Sequence, residues 1–331
     1  MGTRYKRAPE FKDMAEIGKD IQKAIDFLQA GEVIGIPTET VYGLAGNAFD
    51  PRVVTRIFEI KNRPSFDPLI VHTHDVEKVN SFVQAIPKQA LQLAKVFWPG
   101  PLTLLLPRTA AIPDLVTSGL DTVAVRIPNH PLTLELLSKL DFPLAAPSAN
   151  PFGYVSPTQP AHVNEQLGEK IPYILDGGMC NIGVESTIVG FDQEQPVIYR
   201  LGGIPVEAIE QTIGKVVVQP RSGPKPNAPG MLESHYAPKK KVIVGDIDQL
   251  LKAYPPDEVG IISFQTSFPD VAPERQIILS EKGDLSEAAQ HLFFALRRMD
   301  KLPVQYILTS YVPDVGLGRA INDRLRRAAA R

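Results

Sequence analysis

Between residues 214 and 240 the composition turns to proline, glycine, serine and asparagine, with Pro220, Pro224, Pro226, Pro229 and Pro238 among them. Proline removes a backbone donor and breaks helix interiors and central strands, so no regular element is expected to run through this stretch. The break divides a chain of 331 residues, already longer than one domain usually is. Two unequal folding units follow, over 14–210 and 241–331, joined by a stiffened linker over 211–240.

Patterning within the larger unit predicts a helix from Asp13, with Glu16 three residues on, apolar Ile17, Ile21, Ile25 and Leu28, and Gly31 as its stop. A strand over 33–36 leads into the polar, tightly punctuated loop Pro37-Thr38-Glu39-Thr40-Val41-Tyr42-Gly43, which suits a binding loop. Asp50-Pro51 starts a second helix that Pro64 ends, so Lys61 and Arg63 lie at its end or just past it. An apolar run over 69–71 delivers His72. Two helical stretches precede Trp98, and strands are expected over 102–106, 122–127, 144–146, 173–175, 186–189 and 197–199. Strands and helices that do not strictly alternate point to an α/β (α+β) layered domain with a mixed sheet. Beyond the linker the alternation is regular, with strands over 242–244, 259–262, 276–279 and 305–308 and helices around 247–253, 285–299 and 315–330. A small doubly wound, Rossmann-like sheet is the expected result.

A composition of 44% apolar and 22% charged residues supports an ordinary packed core. The net charge of -2 argues against a general nucleic-acid coat. Cys180 is the one cysteine, which excludes an internal disulfide framework and a cysteine-built zinc site. Residues 1–12 are charged and lack the apolar core of a signal peptide, and no stretch approaches the length of a membrane span, so a cytoplasmic location is expected. Neither Gly177-Gly178 nor Gly202-Gly203 matches the P-loop or the dinucleotide fingerprint, so any phosphate must be held by other means.

Lys61 and Arg63 set a point charge beside a planar fork, a sensible way to hold polyphosphate. Taken alone, the pair is also explained as a solvated helix end that favours the macrodipole. Ser148-Ala149-Asn150 offers hydroxyl and amide groups just past a strand, or simply a hydrogen-bonded turn. Arg126 ends the strand Val123-Ala124-Val125, where a guanidinium can take a carboxylate bidentately or serve an ion pair. His72 can orient a small substrate, exchange a proton near neutral pH, or act as a structural partner. In the run from Gly183 to Val189, Ser186 and Thr187 stand at a loop-to-strand transition, while Glu185 reads as a buried structural acid or cap. Arg319, Arg324, Arg326, Arg327 and Arg331 read as the solvated face of the last helix.

Together these segments resemble the YrdC/Sua5 family in its two-domain Sua5 form. The resemblance is carried by the loop Pro37 to Leu44, Lys61-Asn62-Arg63-Pro64, Pro68-Leu69-Ile70-Val71-His72, Trp98-Pro99-Gly100-Pro101-Leu102-Thr103, Val125-Arg126-Ile127-Pro128, Pro147-Ser148-Ala149-Asn150 and the Gly183 run. Ala228-Pro229-Gly230-Met231 and His235-Tyr236-Ala237-Pro238 extend it through the linker. It implies a YrdC-like twisted mixed sheet with flanking helices, a smaller Rossmann-like Sua5 domain, and a linker folded over the catalytic mouth as a lid.

The activity that the resemblance implies is L-threonylcarbamoyladenylate synthesis from ATP, L-threonine and bicarbonate, with release of pyrophosphate and water. Mg²⁺ would ride on the ATP phosphates and not on protein ligands. The product serves the t6A modification of adenosine 37 in certain tRNAs, attached by a separate, transiently met threonylcarbamoyl transferase complex. By position, Thr40, His72, Arg126, Ala146 and Ser186 would surround threonine, with Arg126 on its carboxylate. Arg63, Asp67, Thr122, Ser148, Ser156, Arg200 and His235 or Tyr236 would surround ATP, and Lys61 and Asn150 complete the phosphate set. Lys61 and Arg63 would act electrostatically, with no protein nucleophile. Asp67 departs from the asparagine of many relatives, and its charge beside phosphate needs a metal or arginine to offset it. Two other readings are an RNA-binding module using Lys61, Arg63 and Arg126, and carbamoyl transfer in hydrogenase maturation. The first lacks an RNA-binding motif, and the second lacks its acylphosphatase and zinc-finger regions.

Overall fold

A computed structural model describes residues 14–219, 228–231 and 235–330. The expected cap Asp13, the linker prolines Pro220, Pro224 and Pro226, and Arg331 fall outside them.

Eleven strands of the larger unit form one sheet: β1 (Glu16–Gly18), β2 (Ile34–Ile36), β3 (Gly43–Asn47), β4 (Ile70–His72), β5 (Leu102–Pro107), β6 (Thr122–Arg126), β7 (Leu144–Ala145), β8 (Tyr173–Leu175), β9 (Thr187–Asp192), β10 (Gln195–Arg200) and β11 (Val217–Val218). Their order is β1-β8-β2-β3-β7-β4-β6-β5-β9-β10-β11. The sheet is mixed, as expected: β4 runs parallel to β6 and antiparallel to β7. Around it lie α1 (Ile21–Gln29), α2 (Pro51–Lys61), α3 (Val76–Val79), α4 (Lys88–Phe97), α5 (Asp114–Thr117), α6 (Pro131–Ser138), α7 (Pro160–Leu167) and α8 (Val206–Ile213). The two-residue period of β3 sends Leu44 into the apolar cluster of α2 and α4 and Ala45 into that of α1 and α6, so helices cover both faces.

Two boundaries differ from the sequence reading. The helix expected from Asp13 to Gly31 begins at Ile21, because Asp20 caps it by accepting from the Lys23 amide, and Glu16 and Ile17 pair instead with β8. A local cap at Asp20 and a long-range edge-strand pairing thus override the apparent capping box. The linker also starts later than 211, since α8 continues to Ile213 and Val217 and Val218 pair with β10.

In the smaller unit β12 (Lys241–Val244), β13 (Val259–Ser263), β14 (Gln276–Ile278) and β15 (Tyr306–Thr309) form a parallel sheet of order β12-β15-β13-β14. Ile247 of α9 (Ile247–Leu250) packs on one face with Ile261 and Leu308, while α10 (Leu285–Lys301) and α11 (Gly318–Ala329) pack on the other with Ile262 and Ile307. Helices on both faces of a parallel sheet make the doubly wound arrangement that the alternation predicts.

One apolar cluster joins Val41, Val155 and Val184 of the larger unit to Tyr236 of the linker and to Leu292, Phe293 and Leu296 of α10. Each such side chain contributes about 1.5–3 kcal/mol on burial, so the units are docked by a shared core. Gly183 permits the approach: a Cβ there would stand 2.4 Å from the Gln290 Cα, on a backbone with φ of +77°. Arg297 of α10 adds hydrogen bonds to the Ser156 and Val155 carbonyls and to Gln166. Among the described residues, no helix is long and apolar enough to cross a membrane.

Candidate active site

Helix α2 begins at Asp50, which accepts from the Arg52 amide, and ends at Asn62 in the left-handed region with φ of 50°. That turn separates Lys61 from Arg63. Lys61 points inward, 1% exposed, and its Nζ donates to the carbonyls of Ser148 and Asn150, each at 2.5 Å. Burial, with Arg63 nearby, pulls its pKa well below the ordinary lysine value. Arg63 leaves the helix end and donates to the Asp67 and Pro68 carbonyls at 3.0 and 2.8 Å. Its guanidinium also lies 2.9 Å from the Asp67 carboxylate. Neither cation is the solvated helix end that the sequence alone allows.

Neighbouring strand ends bring the next residues together. His72 and Arg126 are register partners on β4 and β6, and the Ala146 amide donates to the Ile70 carbonyl. Arg126 lies 2.7 Å from Glu39, yet that contact is too poorly aligned to count as a hydrogen bond for Nη2 or for either Glu39 oxygen. The His72 pKa is pushed down to about 3 by burial, with Arg126 adding to the shift. The imidazole is therefore neutral near pH 7 and makes a hydrogen-bond partner, not the proton exchanger considered from sequence. Ser186 sits where β9 begins; its Oγ meets Thr103 Oγ1 at 2.7 Å and accepts from Arg200 at 2.9 Å.

These groups surround one cleft, open to solvent on one side. Of the residues expected to bind, Arg63, His72, Arg126, Ala146, Ser148, Arg200, His235 and Tyr236 line it. Thr40 is fully buried and joined to Thr38 through their hydroxyls at 2.8 Å, placing Thr38 and not Thr40 in the lining. Asn150 spends its amide on the Pro151 and Tyr154 carbonyls, and Ser156 gives its hydroxyl to Glu185 at 2.6 Å. Thr122 starts the strand that Arg126 ends and lines a separate depression with Leu105 and Tyr199.

The described linker residues 228–231 and 235–238 roof the cleft as a strap. Pro229, Gly230, His235 and Tyr236 all line it. Gly230, with φ of +76°, lets the strap lie close on itself and on the core: a Cβ there would stand 2.9 Å from the Tyr236 hydroxyl and 3.3 Å from the Arg200 Cδ. Tyr236 holds φ of 61°, a left-handed backbone that costs a non-glycine residue about 1 kcal/mol or more. Burial, then Arg63 and Lys61, hold the His235 pKa well below its ordinary value.

Two acidic residues that the sequence reading left without a binding role organise this charge: Glu39 meets Arg126, and Glu185 meets Arg324 of the smaller unit at 2.9 Å. Asp67 meets Arg63; burial raises its pKa while Arg63, Lys61 and Arg200 oppose the rise. Arg200, by contrast, donates among the described residues to the Ser186 carbonyl and hydroxyl and the Pro229 carbonyl. Burial lowers its pKa to about 10, so it is charged at neutral pH. Among the described residues it forms no ion pair: Glu185 and Asp67 act on it from a distance, its hydrogen bonds go to neutral groups, and an anion in the cleft would meet a buried cation with no carboxylate directly paired to it. The acids beside the cleft are each paired with an arginine, and no three histidine, cysteine or carboxylate groups cluster among the described residues. That donor set fits a metal that is bound through ligand phosphates and does not cage one.

The family model described as Telomere recombination matches residues 26–202, and the one described as Threonylcarbamoyl-AMP synthase, C-terminal domain, matches residues 204–330. The chain belongs to the Sua5/YrdC family. A threonylcarbamoyl-AMP synthase of Pyrococcus abyssi is 42% identical over 325 residues, covering 93% of this chain and 94% of its own length. A Bacillus subtilis relative of the same name is 39% identical over 320 residues, covering 93% and 92%. The crystal structure of P. abyssi Sua5 complexed with L-threonine matches with a TM-score of 0.89 at 40% identity, over 96% of this chain and 98% of that one. The mixed sheet with flanking helices is thus the Sua5 fold.

Sequence reasoning missed Arg324 as part of the site's surroundings. Ile321, Leu325 and Ala328 form the buried face of α11, and Arg324 occupies the same three- and four-residue spacing. That periodicity was the available signal. The expected solvated face is corrected accordingly: Arg324 and Arg327 are 0% and 4% exposed, while Arg319 and Arg326 reach solvent.

Proposed function

We propose that this chain synthesises L-threonylcarbamoyl-AMP from ATP, L-threonine and bicarbonate, releasing pyrophosphate and water. The observation that carries the reading is Arg200: a buried guanidinium held by neutral acceptors on the wall of a strap-covered cleft calls for an anionic ligand. The names of its P. abyssi and B. subtilis relatives, and the threonine held by the P. abyssi structure, supply the chemical class.

In this reading Arg126 takes the threonine carboxylate, with His72, Ala146, Thr40 and Ser186 shaping that end. Arg63, Ser148, Arg200, His235 and Tyr236 take the nucleotide, with Asp67, Ser156 and Thr122 further out. Lys61 and Asn150 hold the loop that presents Ser148. Mg²⁺ held through the nucleotide rather than by protein ligands would add charge neutralisation beside Arg63 and Arg200. The threonine amine attacks the bicarbonate carbon and water leaves, giving a carbamate. A carbamate oxygen then attacks the α-phosphorus and pyrophosphate departs. The chain supplies position and positive charge, and the covered cleft keeps water from the mixed anhydride. The product would pass in the cytoplasm to a transferase that modifies tRNA.

Pyrophosphate release is the test, with the nucleotide product identified by mass spectrometry. It should require ATP, Mg²⁺, bicarbonate and L-threonine together. RNA binding with no such turnover would overturn the reading.

A further inference from the structure

Arg324 occupies an apolar-face position on α11 and is 0% exposed. Burying a guanidinium is unfavourable unless its donors are met, and here they are met by groups from separate parts of the chain. Nε donates to Glu185 at 2.9 Å, Nη1 to Asp323 at 2.7 Å, and Nη2 to the Leu201 carbonyl at 2.8 Å. Its guanidinium carbon stands 4.8 Å from the centroid of the Tyr236 ring. Arg324 does not line the cleft, but Glu185 and Tyr236 do.

We infer that Arg324 is a positioning residue for the cleft: by gripping Glu185 and Tyr236 it latches the strap closed, which gives the smaller domain a direct part in nucleotide binding. The inference rests on reading the cleft as the ATP site. Tyr236 needs such a grip because its left-handed backbone does not hold itself. Arg324 packs on its ring, Phe293 of α10 stacks with it at 5.5 Å and 27°, and the next residue's amide donates to the Gly153 carbonyl at 2.9 Å. Glu185 accepts from Ser156 through its other oxygen, so the latch is tied to the larger domain as well. Two contacts made by the smaller domain therefore set where the strap residue stands.

The test uses the full chain with Arg324→Met, Arg324→Lys, Phe293→Leu and, as a control, Arg326→Met. Arg326 is 46% exposed and only 3.9 Å from Asp323. Pyrophosphate release is followed with ATP varied at saturating threonine and bicarbonate, and hydrogen exchange is read at the Ala237 amide. Arg324→Met should raise the ATP KM about tenfold while kcat stays within about threefold, and should speed Ala237 exchange. Arg324→Lys should recover part of both, since it keeps the charge facing Glu185 but not the fork, and Arg326→Met should match the wild type. An unchanged ATP KM in folded Arg324→Met overturns the latch, as does a joint fall of kcat and thermal midpoint with KM unmoved. If Arg324→Met does not fold, Arg324→Lys and Phe293→Leu decide, and wild-type KM and exchange in both overturn it. If the wild type itself releases no pyrophosphate, the ATP reading fails, and Ala237 exchange alone decides whether Arg324 holds the strap.

Discussion

The Nζ of Lys61 donates to the carbonyl oxygen of Ser148 at 2.5 Å, and the same group reaches the Asn150 carbonyl at 2.5 Å. The Phe152 amide returns to the Lys61 carbonyl at 2.8 Å, closing the exchange between helix end and loop. A buried lysine thus holds the loop that carries Ser148 into the cleft. Under the proposed function, its part in ATP handling would be exerted through that loop, while Arg63 and Arg200 line the cleft.

Lys61→Ala should therefore damage stability and turnover together. Two carbonyls lose donors from a polar head group, a loss of about 3 kcal/mol, and kcat/KM for ATP should fall at least about tenfold. Denaturant unfolding of Lys61→Ala and the volume-filling Lys61→Met gives the first number. A wild-type midpoint in both would show that the loop is held without this residue.

Arg126 and Glu39 stand 2.7 Å apart without an aligned hydrogen bond, so the guanidinium keeps capacity for a second, bidentate carboxylate. Arg126→Ala should raise the threonine KM about 100-fold with the ATP KM within about threefold, and Arg126→Lys should fall between because it lacks the fork. Kinetics with each substrate varied in turn separates these effects. Equal losses toward both substrates would move Arg126 out of the threonine end.

Asp67→Asn is expected to trade stability for affinity. The amide still fits beside Arg63 but no longer neutralises it, leaving a buried guanidinium less well paired at a cost of about 1–3 kcal/mol. The freed charge should lower the ATP KM about twofold to fivefold. An ATP KM that rises would mean that the Asp67 carboxylate itself helps to place the nucleotide.

Much of this architecture was legible because it is written in short-range signals. Asp50-Pro51 and Pro64 bound α2, and regular alternation after residue 240 gives a parallel sheet between helices. Glu16 and Ile17 defeated the same logic, since a three-residue edge strand leaves almost no periodic trace and pairs with β8 more than 150 residues away. The cleft was readable as a set of residue types but not as a division of labour. Nothing local distinguishes Lys61, turned inward to two carbonyls, from Arg63, turned into the cleft; the left-handed Asn62 between them makes that choice. Ion pairs such as Glu185 with Arg324 join residues 139 apart, and only the docked domains bring them together.

The pH dependence of stability offers a check on His72. Burial, with Arg126 beside it, holds its folded pKa at about 3 against an ordinary value of 6.5. The unfolded chain takes up that proton near its ordinary pKa and the fold refuses it. Its contribution is therefore fully present above about pH 6.5 and is lost as pH falls toward 3, by about 1.4 kcal/mol per unit. Urea unfolding at pH 7 and pH 5 should show the wild type losing about 2 kcal/mol more than His72→Gln over that interval. The glutamine keeps a polar head group at the site but has no proton to take up. Identical losses in the two proteins would place the acid sensitivity elsewhere and would remove the ground for treating His72 as a neutral partner at the threonine end of the cleft.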